Sequence, residues 1–174
     1  MEKMEGTKVM KNEVYKAAVK GDWTVLDNGS VSGDECTVTK ANILHIAVHH
    51  EQYEFIETAL RKFPHLVCQG NSDDNTPFHI AAKRGNTRIL ELLVDCCNSA
   101  KLEEKIPSFP WRVKNSKGNT PLHVALICAN LQFAMKLVKK DPELTTFVNN
   151  SGETPLHLAI RYRFIRGKSC ILMP

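Results

Sequence analysis

One phrase is spelled four times in this chain, and its spacing restricts the fold more than any other feature. Residues 115–125 read NSKGNTPLHVA, residues 149–159 NNSGETPLHLA, residues 71–81 NSDDNTPFHIA, and a worn copy at 37–47 reads TVTKANILHIA. Counted by their histidines (His45, His79, His123 and His157), the copies stand 34, 44 and 34 residues apart. A step of this size marks a stacked solenoid, in which each unit buries its apolar face only against its neighbours.

The phrase has a physical grammar. Thr76, Thr120 and Thr154 offer a short oxygen to the first free N–H groups of a helix. Pro77, Pro121 and Pro155 follow at the first helical position, where a fixed φ helps and a missing N–H costs nothing. The histidine three places after the threonine can reach back to the cap, as Glu or Gln does in a capping box. Phe78, Leu122 and Leu156 are expected to point inward, and Ala81, Ala125 and Ala159 to let neighbouring helices approach. Two residues before the cap stand Asp74, Gly118 and Gly152, where a tight turn asks for positive φ. The first copy has Lys40 there, with Asn42 for Thr and Ile43 for Pro, and should carry the loosest finger.

Each phrase thus opens a turn and an inner helix, and after a short break an outer helix follows. The second copy gives Thr76 to Arg84, then Thr87 to Val94, with Ile89, Leu90, Leu92 and Leu93 at helical spacing. The third gives Thr120 to Cys128, then Leu131 to Val138; the first gives Asn42 to His50, then Tyr53 to Leu60. Upstream, YKAAVKGDWTVL (15–26) aligns with HIAAKRGNTRIL (79–90) and reads as a capping helix pair without its finger. The step of 44 places an insert near 98–114, where Pro107 and Pro110 forbid a continuous helix. Trp111 there is either a partner anchor or, preferably, a plug that packs the loop down. The fourth copy lacks an outer-helix pattern and should leave Ile160, Phe164, Ile171 and Leu172 partly in water.

The resulting organisation is a disordered start at 1–10 and a repeat domain over 11–165. The domain divides into a cap at 11–28, repeats at about 37–70, 71–114 and 115–148, a truncated one at 149–165, and a tail from 166. The fold class is all-α, a solenoid of helix-turn-helix units with β-turn fingers.

Composition excludes several classes. With 174 residues, 43% apolar and 24% charged, the chain fits one globular domain. A net charge of +4 with scattered basic residues argues against nucleic acid, which asks for a concentrated stripe. The start MEKMEGTKVMKNE has no apolar signal core, so the six cysteines are expected to stay reduced. No C-x-x-C pair suggests zinc, and no stretch of 18 apolar residues suggests a membrane span. No phosphate-cradling glycine motif occurs. Four of seven histidines occupy one repeat position, so they serve the repeat and not a reaction.

The four phrases resemble ankyrin repeats. More narrowly, KFPHLVCQGNSDDNTPFHIAAKRGN (62–86) and DPELTTFVNNSGETPLHLAIR (141–161) are similar to plant ankyrin-repeat membrane proteins of the accelerated-cell-death and salt-tolerance type. That resemblance implies a role in defence, cell death and stress signalling at the plasma membrane. The family's C-terminal multi-spanning domain has no counterpart in these residues.

The expected function is a non-catalytic protein–protein interaction scaffold, without metal, cofactor, small-molecule substrate or nucleic acid. The alternative is a cytosolic part of a membrane-anchored signalling protein, held at the plasma membrane by a further domain or a partner. Expected contact residues on the fingers and inner helices are Ser72, Asp73, Asn75, Lys83 and Arg84; Ser116, Lys117, Asn119 and Ile127; and Glu153, Arg161 and Tyr162. Repeat one offers Val38, Thr39, Ala41, His49 and His50 at the same places. Ile127 near Arg84 and Tyr162 is the expected hot spot.

Overall fold

A computed structural model describes residues 8–27, 29, 31–100 and 109–168. Its helices are α1 (Asn12–Lys20), α2 (Thr24–Asp27), α3 (Ile43–His49), α4 (Tyr53–Lys62), α5 (Pro77–Arg84), α6 (Thr87–Ala100), α7 (Pro121–Ile127), α8 (Leu131–Lys140) and α9 (Pro155–Lys168). Inner helices α1, α3, α5, α7 and α9 stack in chain order, and outer helices α4, α6 and α8 form a second layer. The core lies between the layers. It is built from Phe55, Ile56, Phe78, Ile89, Leu93, Leu122, Phe133 and Leu137, all 1% exposed or less. Burying one such side chain contributes roughly 1.5–3 kcal/mol, which is why the apolar periodicity dictates the layering.

The fingers close as their residue types demand. Lys40, Asp74, Gly118 and Gly152 have φ of 55°, 57°, 71° and 72°, the left-handed turn position expected of them. The first finger, expected to be the loosest, closes with the same main-chain pattern: Thr37 N donates to Ala41 O at 2.9 Å, as Asn71 N does to Asn75 O at 3.0 Å. Asn42 replaces threonine without loss, accepting from His45 N at 3.0 Å.

Three expectations need correction. Lys8 and Val9, placed in a disordered start, form strand β1 (Lys8–Val9), which pairs in parallel with β2 (Glu35–Cys36). Met10 N continues this contact to Cys36 O at 2.8 Å, and Met10 is buried. The capping helix pair thus has a finger substitute, and Lys8 Nζ meets the buried Glu35 carboxylate at 3.2 Å. Leu156, expected inward, is 66% exposed. Helices α5 and α7, which carry Phe78 and Leu122, each pack on an outer helix and on the next inner helix, whereas α9 packs on α7 but has no outer helix after it among the described residues. Ile160 is 60% exposed, as expected of that end face; the side chains of Phe164, Ile171 and Leu172 lie outside the described residues.

The part of the insert around 101–108 also lies outside the described residues. Beyond it, Trp111 is 2% exposed and meets Phe78 edge-on at 6.1 Å. Its Nε1 donates to Asp141 Oδ2 at 2.9 Å, and Arg112 grips the same carboxylate at 2.6 and 2.7 Å. The tryptophan is a plug, not an exposed anchor.

Candidate interaction face

Two side-chain ladders hold the fingers against the inner helices. The first is made by histidine. Thr76 N donates to His79 Nδ1 at 3.1 Å, and Thr120 N to His123 Nδ1 at 3.3 Å. An Nδ1 that accepts must leave its proton on Nε2, which then donates onward. His45 Nε2 reaches Asn75 O at 2.7 Å, His79 Nε2 reaches Asn119 O at 2.9 Å, and His123 Nε2 reaches Glu153 O at 3.2 Å. Each imidazole therefore caps its own helix and ties the next finger to it. Burial pushes His45 and His79 down to about 4 and lowers His123 as well, so all three are neutral near pH 7.

The second ladder is made by asparagine. Asn71 Oδ1 accepts from Asp73 N and Asn75 N, both at 3.0 Å, which folds the finger. Asn115 and Asn149 do the same for Lys117, Asn119, Ser151 and Glu153. Their free amide protons cross to the neighbouring finger, Asn115 to Asn75 Oδ1 at 2.8 Å and Asn149 to Asn119 Oδ1 at 3.0 Å. The repeated asparagine at 71, 115 and 149 was visible in the phrase, and its place six residues before the proline was the signal for this role.

These ladders sort the expected contact residues. Asn119 is 6% exposed and Asn75 is half-buried, each with its side chain in the asparagine ladder and its carbonyl held by a histidine. Both are framework, and the expectation that they are exposed contacts is corrected. Glu153 is half-buried, paired with Arg161 and bonded to Asn149, so it too is largely occupied. Ser72, Asp73, Lys83, Arg84, Ser116, Lys117 and Arg161 are exposed along one side of the stack. Ile127 and Tyr162 are half-buried on α7 and α9, with the Arg161 guanidinium 5.2 Å from the Tyr162 ring.

At the N-terminal end this face deepens into a groove of about 420 Å³. It is lined by Tyr15, by Thr37 and Thr39 of the first finger, and by Ile46, His49, His50 and Ile80. His49 and His50 meet edge-on at 5.0 Å. Partial burial, then the charges of His50, Arg84 and Lys83, lower the His49 imidazole from its ordinary value. Among the described residues no group of three or more His, Cys, Asp or Glu could hold a metal ion, and no helix is long and apolar enough to cross a membrane.

Comparison with known proteins agrees with this architecture. Two family models for multi-copy ankyrin repeats match residues 44–94 and 102–171. The chain is 30% identical over 159 residues to Protein ACCELERATED CELL DEATH 6 of Arabidopsis thaliana, covering 87% of this chain and 24% of that protein. It is 31% identical over 99 residues to the nuclear factor NF-kappa-B p105 subunit of Mus musculus, covering 57% of this chain and 9% of the relative. It is 33% identical over 90 residues to alpha-latrotoxin-Lh1a of Latrodectus hasselti, covering 52% of this chain and 6% of the toxin. The chain spans less than a quarter of the length of each of these relatives. With the histidine-capped fingers, the alternating inner and outer helices and both family models in agreement, the chain belongs to the ankyrin-repeat family.

Proposed function

We propose that the chain is a non-catalytic protein–protein interaction scaffold in plant stress or defence signalling, working from the cytoplasmic side. The observation that carries this reading is the division of labour on one face. The ladders consume Asn75, Asn119 and the repeat histidines, which leaves Ser72, Asp73, Lys83, Ser116 and Lys117 exposed, Arg84 and Arg161 in surface ion pairs, and Ile127 and Tyr162 half-buried on the same side. Stacked repeats use such a continuous face of fingers and inner helices to bind extended partners. Similarity to a plant protein named for cell death supports the biological setting. That same similarity favours a second reading, in which these residues are the cytosolic part of a larger signalling protein attached to the plasma membrane.

Partner capture from plant extract tests the first reading. Arg84→Glu with Tyr162→Ala should abolish capture while the helical circular dichroism signal stays unchanged. Equal capture by both forms would remove this face from the function. Fractionation of the parent protein from plant cells separates the second reading, which requires it in the membrane pellet.

A further inference from the structure

The groove beside α1 and α3 carries more information than the rest of the face. Its volume of about 420 Å³ falls in the range of small-ligand clefts, about 300–1,000 Å³. Its lining has two characters. Ile46, Ile80 and Tyr15 give an apolar floor, and Thr37 and Thr39 give hydroxyls on the finger side, 2.9 Å from each other. His49 and His50 line the opposite side, at the end of α3. Lys83 and Arg84 close α5 next to them and lie near enough to act on His49 through their charge.

The positive rim is only partly offset, by Glu51 alone among the described residues. Glu51 pairs with Arg84 at 3.5 Å, but the two side chains are 37% and 45% exposed, so solvent screens the pair and it contributes little. Lys83 remains exposed, and its charge reaches the His49 imidazole. The charged groups around His49 are His50 beside it, Lys83 and Arg84 from α5, and Glu51 from the turn after α3, while α1 contributes Tyr15. Cations gathered on one side of an apolar slot match carboxylates flanking an apolar side chain.

Building on the interaction face proposed above, we infer that this groove takes an extended acidic peptide, with one aliphatic side chain on Ile46 and Ile80 and flanking carboxylates against His49, His50, Lys83 and Arg84. The finger hydroxyls of Thr37 and Thr39 face the main chain of the bound segment. A carboxylate beside His49 favours its protonated form, so binding takes up a proton. The peptide carboxylates stay ionised down to pH 6, and affinity therefore rises as pH falls from 7.5 to 6.0.

Fluorescence anisotropy with residues 1–174 and a labelled peptide Asp-Glu-Asp-Leu-Asp-Glu-Asp tests this. The acidic peptide should bind, and a lysine-for-acid version should not. Replacing its leucine by serine should weaken binding several-fold. Lys83→Glu with Arg84→Glu should weaken it by on the order of ten-fold or more, through loss of charge-assisted contacts. His49→Gln should flatten the difference between pH 6.0 and 7.5. Equal affinity for the lysine peptide, equal affinity for an oligothymidylate of the same charge, or indifference to the Lys83 and Arg84 reversals would overturn the inference. If the acidic peptide does not bind while Arg84→Glu with Tyr162→Ala still abolishes capture from extract, the acidic groove falls and the interaction face stands.

Discussion

Mild acid should destabilise this protein through its repeat histidines. His45 is 3% and His79 1% exposed, and burial holds both at about 4 against an ordinary value of 6.5. The unfolded chain takes up a proton at each imidazole near pH 6.5, whereas the folded chain does so only near 4. The unfolded state therefore binds more protons throughout that window, and stability falls as pH falls through it. Above pH 6.5 both states are neutral and the contribution vanishes. At pH 5 each histidine removes roughly 2 kcal/mol, about 4 kcal/mol for the pair, against a typical total of about 5–15 kcal/mol. His123, also lowered, adds in the same direction. Asp141, held below the usual carboxylate range by Arg112, loses its pairing only at lower pH. Urea denaturation followed by circular dichroism at pH 7.0, 6.0 and 5.0 measures the fall. His79→Gln should be less stable at pH 7, because a buried bond to Asn119 O is lost, yet show a shallower loss between pH 7 and 5. A wild-type stability unchanged from pH 7 to 5, or an undiminished slope in His79→Gln, would refute the neutral-histidine ladder.

Other consequences can be checked in the same way. Leu122→Ala should cost roughly 2–5 kcal/mol by opening a core cavity, Thr120→Ala about 1 kcal/mol as a lost cap, and exposed Lys117→Ala under about 0.5 kcal/mol, all by chemical denaturation. Arg112→Ala should destabilise more than the Lys117 change, because it strips the ion pair from Asp141, which is 5% exposed. Amide hydrogen exchange should be slow from Ile89 to Leu93 and rapid after about residue 160, past the exposed Ile160; strong protection there in a monomer would show that the end face is covered.

The sequence carried the repeat, the helix starts, the positive-φ finger positions and half of each histidine's duty, because all of these are local. Thr-Pro-x-His needs only one helical turn to be read. The other half of the duty was not legible. The partner of His79 Nε2 is a carbonyl 40 residues away, and nothing in a single copy points to it. A separation of 30 residues hid the burial of Asn119, whose polar side chain looks like a surface residue until Asn149 is found bonded to it at 3.0 Å. Strand β1 was missed because two residues carry no periodicity; only its partner Glu35–Cys36 makes it a strand. Leu156 shows the opposite failure, since a correct local pattern promised burial that depends on a neighbour. For the interaction face, repeat position was enough to place Lys83, Arg84, Lys117 and Arg161 at the surface, but not to show the groove, which needs α1, the first finger and α5 brought together.

In the proposed scaffold, partners bind the fingers and inner helices and leave the outer layer untouched. Hydroxyl-radical footprinting of residues 1–174, alone and with a captured partner, tests it at side-chain level. His49, His50, Ile127 and Tyr162 should become protected on binding. Leu131 and Met135, which are 61% and 66% exposed on outer helix α8, should stay as reactive as before. Protection of Leu131 and Met135 with no change at His49, His50, Ile127 and Tyr162 would contradict it.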